Sequence, residues 1–319
     1  LQSDEIAFGA RLLRNRNHKR SATCEVQDNG AGKSSPRVIP HAPSLMKSAI
    51  TISLVAQAKG GPFVYWDGLA DGCARASALG FDAVEIFPPS AHALDIADLQ
   101  GLLDHHALKV AAIGTGGGWL VHKWTLTHPD PAIRKQAREF IREIVDFAGG
   151  FGAPAILGSM QGRWENNVTR EQAVAWLGEA LEDLGEHAAR HGTVFLYEPL
   201  NRYETNLFNR QADAAAWLRT LRTQNARLLC DLYHMNIEEA GLAAALRECG
   251  PLVGHVHFAD SNRRAIGMGH TDIDPIIAAL HDISYKGYLS AEILPFPDSD
   301  AAAKQTIESF RTVTAVTGD

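Results

Sequence analysis

From residue 49 onward, short apolar runs alternate with longer stretches in which apolar residues recur every three to four positions. The short runs predict buried parallel strands over 50–55, 83–87, 109–113, 155–157, 193–197, 227–230, 253–258 and 288–293. The longer stretches predict helices over 67–79, 96–106, 131–148, 170–190, 211–220, 239–249, 274–282 and 300–313. Start signals agree: Asp130-Pro131 reads as an N-cap with proline in the first turn, and Thr169 stands before Glu171. Gly80, Gly152 and Gly192 read as the ends of helix-to-strand connections. Eight strands alternating with eight helices predict an α/β fold, a (β/α)8 barrel over residues 46–319. A doubly wound sheet is the runner-up. It calls for a GxGxxG turn after the first strand, where the chain has Ala56-Gln57-Ala58-Lys59-Gly60-Gly61. The glycine-rich Gly114–Gly118 stretch also lacks that spacing and reads as backbone bending near a ligand.

Residues 1–45 break the pattern. Positions 11–20 are basic, and 28–43 are rich in Gly, Ser and Pro with no sustained period. Met46-Lys47-Ser48 then leads into the first apolar run, so 1–45 reads as an irregular or non-native N-terminal extension. Within it, Gly30-Ala31-Gly32-Lys33-Ser34 invites a phosphate-loop reading. The required glycine five positions before Gly32 is Gln27, and no apolar strand precedes it, which favours a linker.

Composition narrows the class. A chain of 319 residues that is 45% hydrophobic and 21% charged is ordinary globular material. The net charge of −7 argues against nucleic acid as the main partner. Cys24, Cys73, Cys230 and Cys249 are scattered without CxxC spacing and fit reduced thiols of a cytoplasmic protein. No membrane span and no signal peptide are read, so no membrane partner is expected.

The chemistry gathers at predicted strand ends, where a barrel carries its active site. The fifth strand runs into Tyr197-Glu198-Pro199-Leu200-Asn201-Arg202-Tyr203-Glu204, with Glu198 at its end. The sixth ends at Asp231, the seventh carries His255-Val256-His257, and the eighth ends at Glu292. One acid at a strand end could simply cap the next helix. Carboxylate, carboxylate, imidazole and carboxylate on four successive strands are harder to explain that way. Three oxygens and one nitrogen suit one divalent ion, Mn²⁺ first, with Mg²⁺ or Co²⁺ also fitting. His257 lies nearer the strand end than His255, so His257 is the expected ligand and His255 its buried, hydrogen-bonded neighbour. His234 could be a ligand, a substrate contact or a first-turn helix residue. Arg263 and Arg264 sit in a loop that can reach over the mouth.

Glu198–Glu204, Asp231–Glu239, Gly254–His257 with Ser261-Asn262-Arg263, and Gly267–Asp272 resemble the sugar phosphate isomerase/epimerase superfamily, with its xylose isomerase-like barrel. The likeness is closest to the ketose (D-tagatose and D-psicose) 3-epimerases, and it is strongest from 193 to 295; Phe81–Ile86 resembles the second strand. The resemblance implies that Glu198, Asp231, His257 and Glu292 hold the metal and that Glu198 and Glu292 double as catalytic acid and base. It implies that Glu204, His234 and Arg263 grip the O1–O2 end of a ketose. The implied reaction removes a proton beside a carbonyl, through a metal-stabilised enediolate, and returns it from the other face.

The loops after strands two to four match poorly. They carry His92, Trp119, His122, Trp124, Gln161, Arg163 and Trp164, half of which plain loop packing would explain. Trp119 is read as a sugar-face contact, and Gln161 or Arg163 as a contact to hydroxyls or a phosphate. The same first step serves lyases and dehydratases acting on keto-sugars, keto-inositols or 3-keto-glycosides. An AP-endonuclease-like relative would need further ligands such as His92 and His122, and a non-catalytic sugar binder would leave the paired glutamates unexplained. The expected partner is a small keto-sugar, with homo-oligomer formation left open.

Overall fold

The computed structural model describes residues 46–165 and 167–315, so the expectations for 1–45 lie outside the described residues. Strands β1 (Lys47–Ser53), β2 (Ala83–Phe87), β3 (Lys109–Gly114), β4 (Ala155–Leu157), β5 (Phe195–Tyr197), β6 (Ala226–Asp231), β7 (Val253–His257) and β8 (Tyr288–Ala291) form a closed barrel in chain order. Every pairing is parallel, and β1 closes the ring on β8. This is the predicted (β/α)8 architecture.

The outer layer holds α1 (Leu69–Leu79), α2 (Ile96–His106), α4 (Pro131–Gly149), α5 (Arg170–Ala189), α6 (Gln211–Leu218), α8 (Leu242–Cys249), α9 (Asp274–Asp282) and α10 (Ser299–Thr314). Two short helices lie outside the predicted helical stretches: α3 (Gly117–His122) after β3, and α7 (Leu232–Glu238) after β6, whose first turn holds His234, one of the readings given for that residue. The expected caps form. The Asp130 carboxylate accepts from the Ala132 amide at 2.8 Å, and Thr169 forms a reciprocal capping box, with Gln172 rather than Glu171 as its partner. Gly80 ends α1 in the left-handed region at φ 80°, where a Cβ would be strained.

Strand β1 begins three residues earlier than predicted, because polar Ser48 is satisfied inside the sheet. Its amide and hydroxyl both donate to the Asp82 carboxylate at 2.8 Å. Alternation along the strands then divides the side chains. Tyr197 points toward the helices, against Phe208 and Trp217. Leu196 and Leu229 pack with Ala112 and Ile156 on the opposite faces, which also carry the residues expected to be chemical. The four form an apolar floor to the site. Cys73, Cys230 and Cys249 are buried free thiols.

Candidate metal and acid–base site

Glu198 follows the last residue of β5, Asp231 ends β6, His257 ends β7, and Glu292 follows β8. Each stands two positions beyond an inner-facing neighbour, so alternation aims all four into one space. One candidate ligand atom from each lies within 4.8 Å of the others, and all four residues are buried. His257 Nδ1 is the hub, 3.3 Å from Asp231 Oδ2, 3.5 Å from Glu292 Oε2 and 3.7 Å from Glu198 Oε1. Glu198 Oε1 is fully buried and accepts no hydrogen bond among the described residues. An orphaned carboxylate oxygen facing two more carboxylates and an imidazole nitrogen is a donor set that fits a hard or borderline divalent cation.

The electrostatics are uneven. Burial pushes Glu198 well above the usual carboxylate range; the pull of His257 does not offset it, and the charges of Glu292 and Asp231 add to it. Glu292 is also raised by burial, which His257 and Arg263 offset only in part. Asp231 goes the other way: burial acts upward, but His234, Arg263 and His257 hold it well below its ordinary value. Burial disfavours a charged His257, yet Glu85 and Glu292 outweigh that and raise it well above the usual imidazole range. Burial brings His234 down to about 4 despite the charge of Asp231.

Asp231 also caps a helix. Its Oδ1 accepts from the Tyr233 amide at 2.8 Å while Oδ2 faces His257. The cap starts α7 directly after the strand and brings His234 beneath the cavity. His234 Nε2 lies 3.7 Å from both Glu198 Oε1 and Asp231 Oδ2, and its Nδ1 is 2.7 Å from Asn201 Nδ2. Arg263 pairs with Glu292 and reaches Asp231 Oδ2 at 3.5 Å. Its loop is wound around Asp260, whose carboxylate accepts from the amides of Ser261, Gly267, Gly269 and Thr271 at 2.7–3.0 Å. Glu204 lines the same cavity and accepts from Asn201 Nδ2 at 3.1 Å.

Sequence reasoning missed Glu85. This buried residue of β2 receives His255 Nε2 at 2.7 Å on one oxygen and His257 Nε2 at 3.1 Å on the other. It therefore fixes the His257 ring so that Nδ1 faces the carboxylates, as an outer carboxylate orients a ligating histidine. The available signal was a lone acid inside the apolar run Ala83-Val84-Glu85-Ile86-Phe87. His255 is the buried, hydrogen-bonded neighbour it was expected to be.

The expectation for Gln161 needs correction. Its amide is consumed internally: Nε2 donates to the carbonyls of Glu198 (2.9 Å) and Gly158 (3.0 Å), and Oε1 accepts from the Tyr197 hydroxyl (2.9 Å). Buried and outside the cavity lining, Gln161 braces the Glu198 backbone. Trp119 does line the cavity. The nearby glycines serve close packing rather than a turn, since a Cβ on Gly114 or Gly116 would meet the Phe87 ring at 2.2 or 2.4 Å. His92 pairs with Glu143 on the surface and His122 stacks on Trp124, so neither joins the cluster that a nuclease-like centre would need.

The cavity above the cluster has a volume of about 300 Å³, with Phe63, Phe87 and Trp119 opposite Glu204, His234 and Arg263. The model of the xylose isomerase-like TIM barrel family matches residues 73–313. The chain belongs to that family. An L-ribulose 3-epimerase of Methylomonas sp. (strain DH-1) is 32% identical over 243 residues, 73% of this chain and 83% of the relative. A 3-dehydro-D-guloside 4-epimerase of Escherichia coli (strain K12) is 40% identical over 116 residues, 36% of this chain and 44% of the relative. The crystal structure of a D-allulose 3-epimerase from Methylomonas sp. in complex with D-allulose has a TM-score of 0.70 at 27% identity, covering 85% of this chain and 98% of that one. With this family and these relatives, the barrel is that of a sugar isomerase/epimerase. Among the described residues no helix is long and apolar enough to cross a membrane.

Proposed function

We propose that the chain is a divalent-metal-dependent epimerase of a keto-sugar, acting at the carbon beside the carbonyl. The observation that carries this reading is the pair of buried carboxylates, Glu198 and Glu292, which approach His257 Nδ1 at 3.7 and 3.5 Å from strands three places apart. Epimerisation needs a group on each face of one carbon, one to remove a proton and one to return it.

Glu198, Asp231, His257 and Glu292 are the residues that would hold the ion, Mn²⁺ first among the candidates, with Mg²⁺ or Co²⁺ as alternatives. When bound, such an ion supplies Lewis-acid stabilisation of negative charge that develops on the sugar oxygens. The chain's own groups do the rest. Glu85 holds the His257 ring, and Arg263 places a permanent positive charge against Glu292. Glu204, His234 and Arg263 bind the oxygens at the carbonyl end, and the Trp119 indole covers a sugar face. Phe63, Phe87 and Leu120 line the apolar side of the cavity and limit water around the reacting carbon.

The test is solvent-deuterium incorporation into a panel of keto-hexoses with Mn²⁺ present, read by NMR. The expected result is one deuteron at the epimerised carbon together with the epimer. Glu292→Gln should slow it by about 10²–10⁴-fold, the range for a lost general acid–base. Release of water or an aglycone instead of an epimer, or an unaffected Glu292→Gln rate, would overturn the reading.

A further inference from the structure

Two helices of the outer layer bring a second set of metal-ligating groups together. His187 lies in the last turn of α5, and Arg190 just beyond that helix keeps helical backbone angles. The His191 amide donates to the Ala188 carbonyl at 3.0 Å, so His191 stands one turn past His187 on the same face. Asp146 projects toward both from α4. Its Oδ1 lies 2.6 Å from His187 Nε2 and 2.8 Å from His191 Nε2. One candidate ligand atom from each of the three lies within 4.8 Å of the others.

The seat for these rings is built into the helices. The His187 side chain is 12% exposed and that of His191 30%. Gly149, the last residue of α4, leaves the space that His191 fills, since a Cβ there would meet the ring at 2.4 Å. Gly192 then turns the chain away at φ 70°, in the left-handed region. The Asp146 carboxylate is half exposed, so water can reach a fourth coordination position.

The donor set differs from that inside the barrel. Three carboxylates and one imidazole suit a hard or borderline ion, whereas two imidazoles and one carboxylate suit a borderline ion such as Zn²⁺. Mn²⁺ stands lowest in affinity for a nitrogen-rich set. Ligands of a tetrahedral zinc ion stand about 3.3 Å apart, so the half-exposed carboxylate has to draw back by only about 0.6 Å. Binding uses the Nε2 lone pairs, so each ring then carries its proton on Nδ1. The Nδ1 of His187 is buried with no hydrogen-bond partner among the described residues. An outer-shell bond is therefore missing, which weakens the site by about 10–100-fold and makes it a micromolar rather than a nanomolar one.

We propose that Asp146, His187 and His191 form a second metal site, selective for Zn²⁺ over Mn²⁺, that clamps α4 to the end of α5. The clamp is independent of the epimerase reading, because none of its ligands belongs to the barrel cluster.

The test dialyses the metal-stripped full chain against micromolar Zn²⁺, or against Mn²⁺, and counts the bound metal per chain. Wild type is compared with His187→Gln, His191→Gln and Asp146→Asn. Each variant should bind one Zn²⁺ fewer than wild type and the same amount of Mn²⁺. The unchanged Mn²⁺ count reports that the barrel is intact. His191→Gln should remove one Zn²⁺ from the Glu292→Gln protein too, which separates the outer site from the barrel cluster. Equal zinc counts in wild type and all three variants overturn the proposal. So does a loss of Mn²⁺ alongside zinc in all three, which would mean that the residues hold the fold rather than an ion.

Discussion

Glu85 with His255 and His257, and Asp146 with His187 and His191, are the same chemical set in two settings. In each, one carboxylate gathers two imidazole nitrogens, at 2.7 and 3.1 Å inside the barrel and at 2.6 and 2.8 Å on the outer face. The distances differ little; the surroundings differ greatly. All three inner residues are buried, whereas the Asp146 side chain is 51% exposed. Around Asp146, water screens the charges and can replace either imidazole. Inside the barrel nothing replaces a lost partner, so the inner carboxylate commits two strands to one arrangement. The same three groups make a local tie in one place and an orienting device in the other.

That contrast can be attacked directly, beginning where the expected effect is largest. Glu85→Ala should cost about 3–5 kcal/mol, the range for breaking a buried pair from one side, read as a fall in the urea midpoint. The gentler Glu85→Gln keeps the volume but removes the charge. It should weaken Mn²⁺ affinity by about 10–100-fold, as loss of an outer carboxylate does, measured by metal-competition titration. Asp146→Asn should cost no more than about 1 kcal/mol in the same urea assay. A loss from Asp146→Asn as large as that from Glu85→Ala would mean that burial is not what separates the clusters.

The smallest effect is a pH dependence. Burial acts to raise Asp146, but the hydrogen bonds from His191 and His187 prevail and lower it. A depressed folded value means the contribution is present above the unfolded value of about 3.9 and is lost as pH falls through the lower folded value. The melting-temperature gap between wild type and Asp146→Asn should therefore close below about pH 4. A gap that widened there would reverse the sign of this argument.

The strand half of the design was readable because each strand from β5 to β8 is a short apolar run that meets a charged or imidazole group at its end. Strand alternation then turns positions in the chain into directions in space. Glu85 escaped because its partners are about 170 residues away, on β7, and a lone acid inside an apolar run does not by itself say which residues it faces. Gln161 misled for the opposite reason: a loop amide looks available until its three bonds are seen. Helix α3 begins on glycines, which local propensity scores as loop, and α7 follows its strand with no linker to announce it. Its signal was Asp231 itself, one of whose oxygens caps α7 while the other faces His257 in the candidate site.

That double service makes position 231 unusually intolerant of change. Asparagine would keep an oxygen for the Tyr233 amide but surrender the negative charge. Glutamate would keep the charge but carry it one carbon too far to cap. Each neighbouring residue type keeps one of the two duties and drops the other, so any path of single substitutions through this site must cross a variant that is poorly folded or poorly charged.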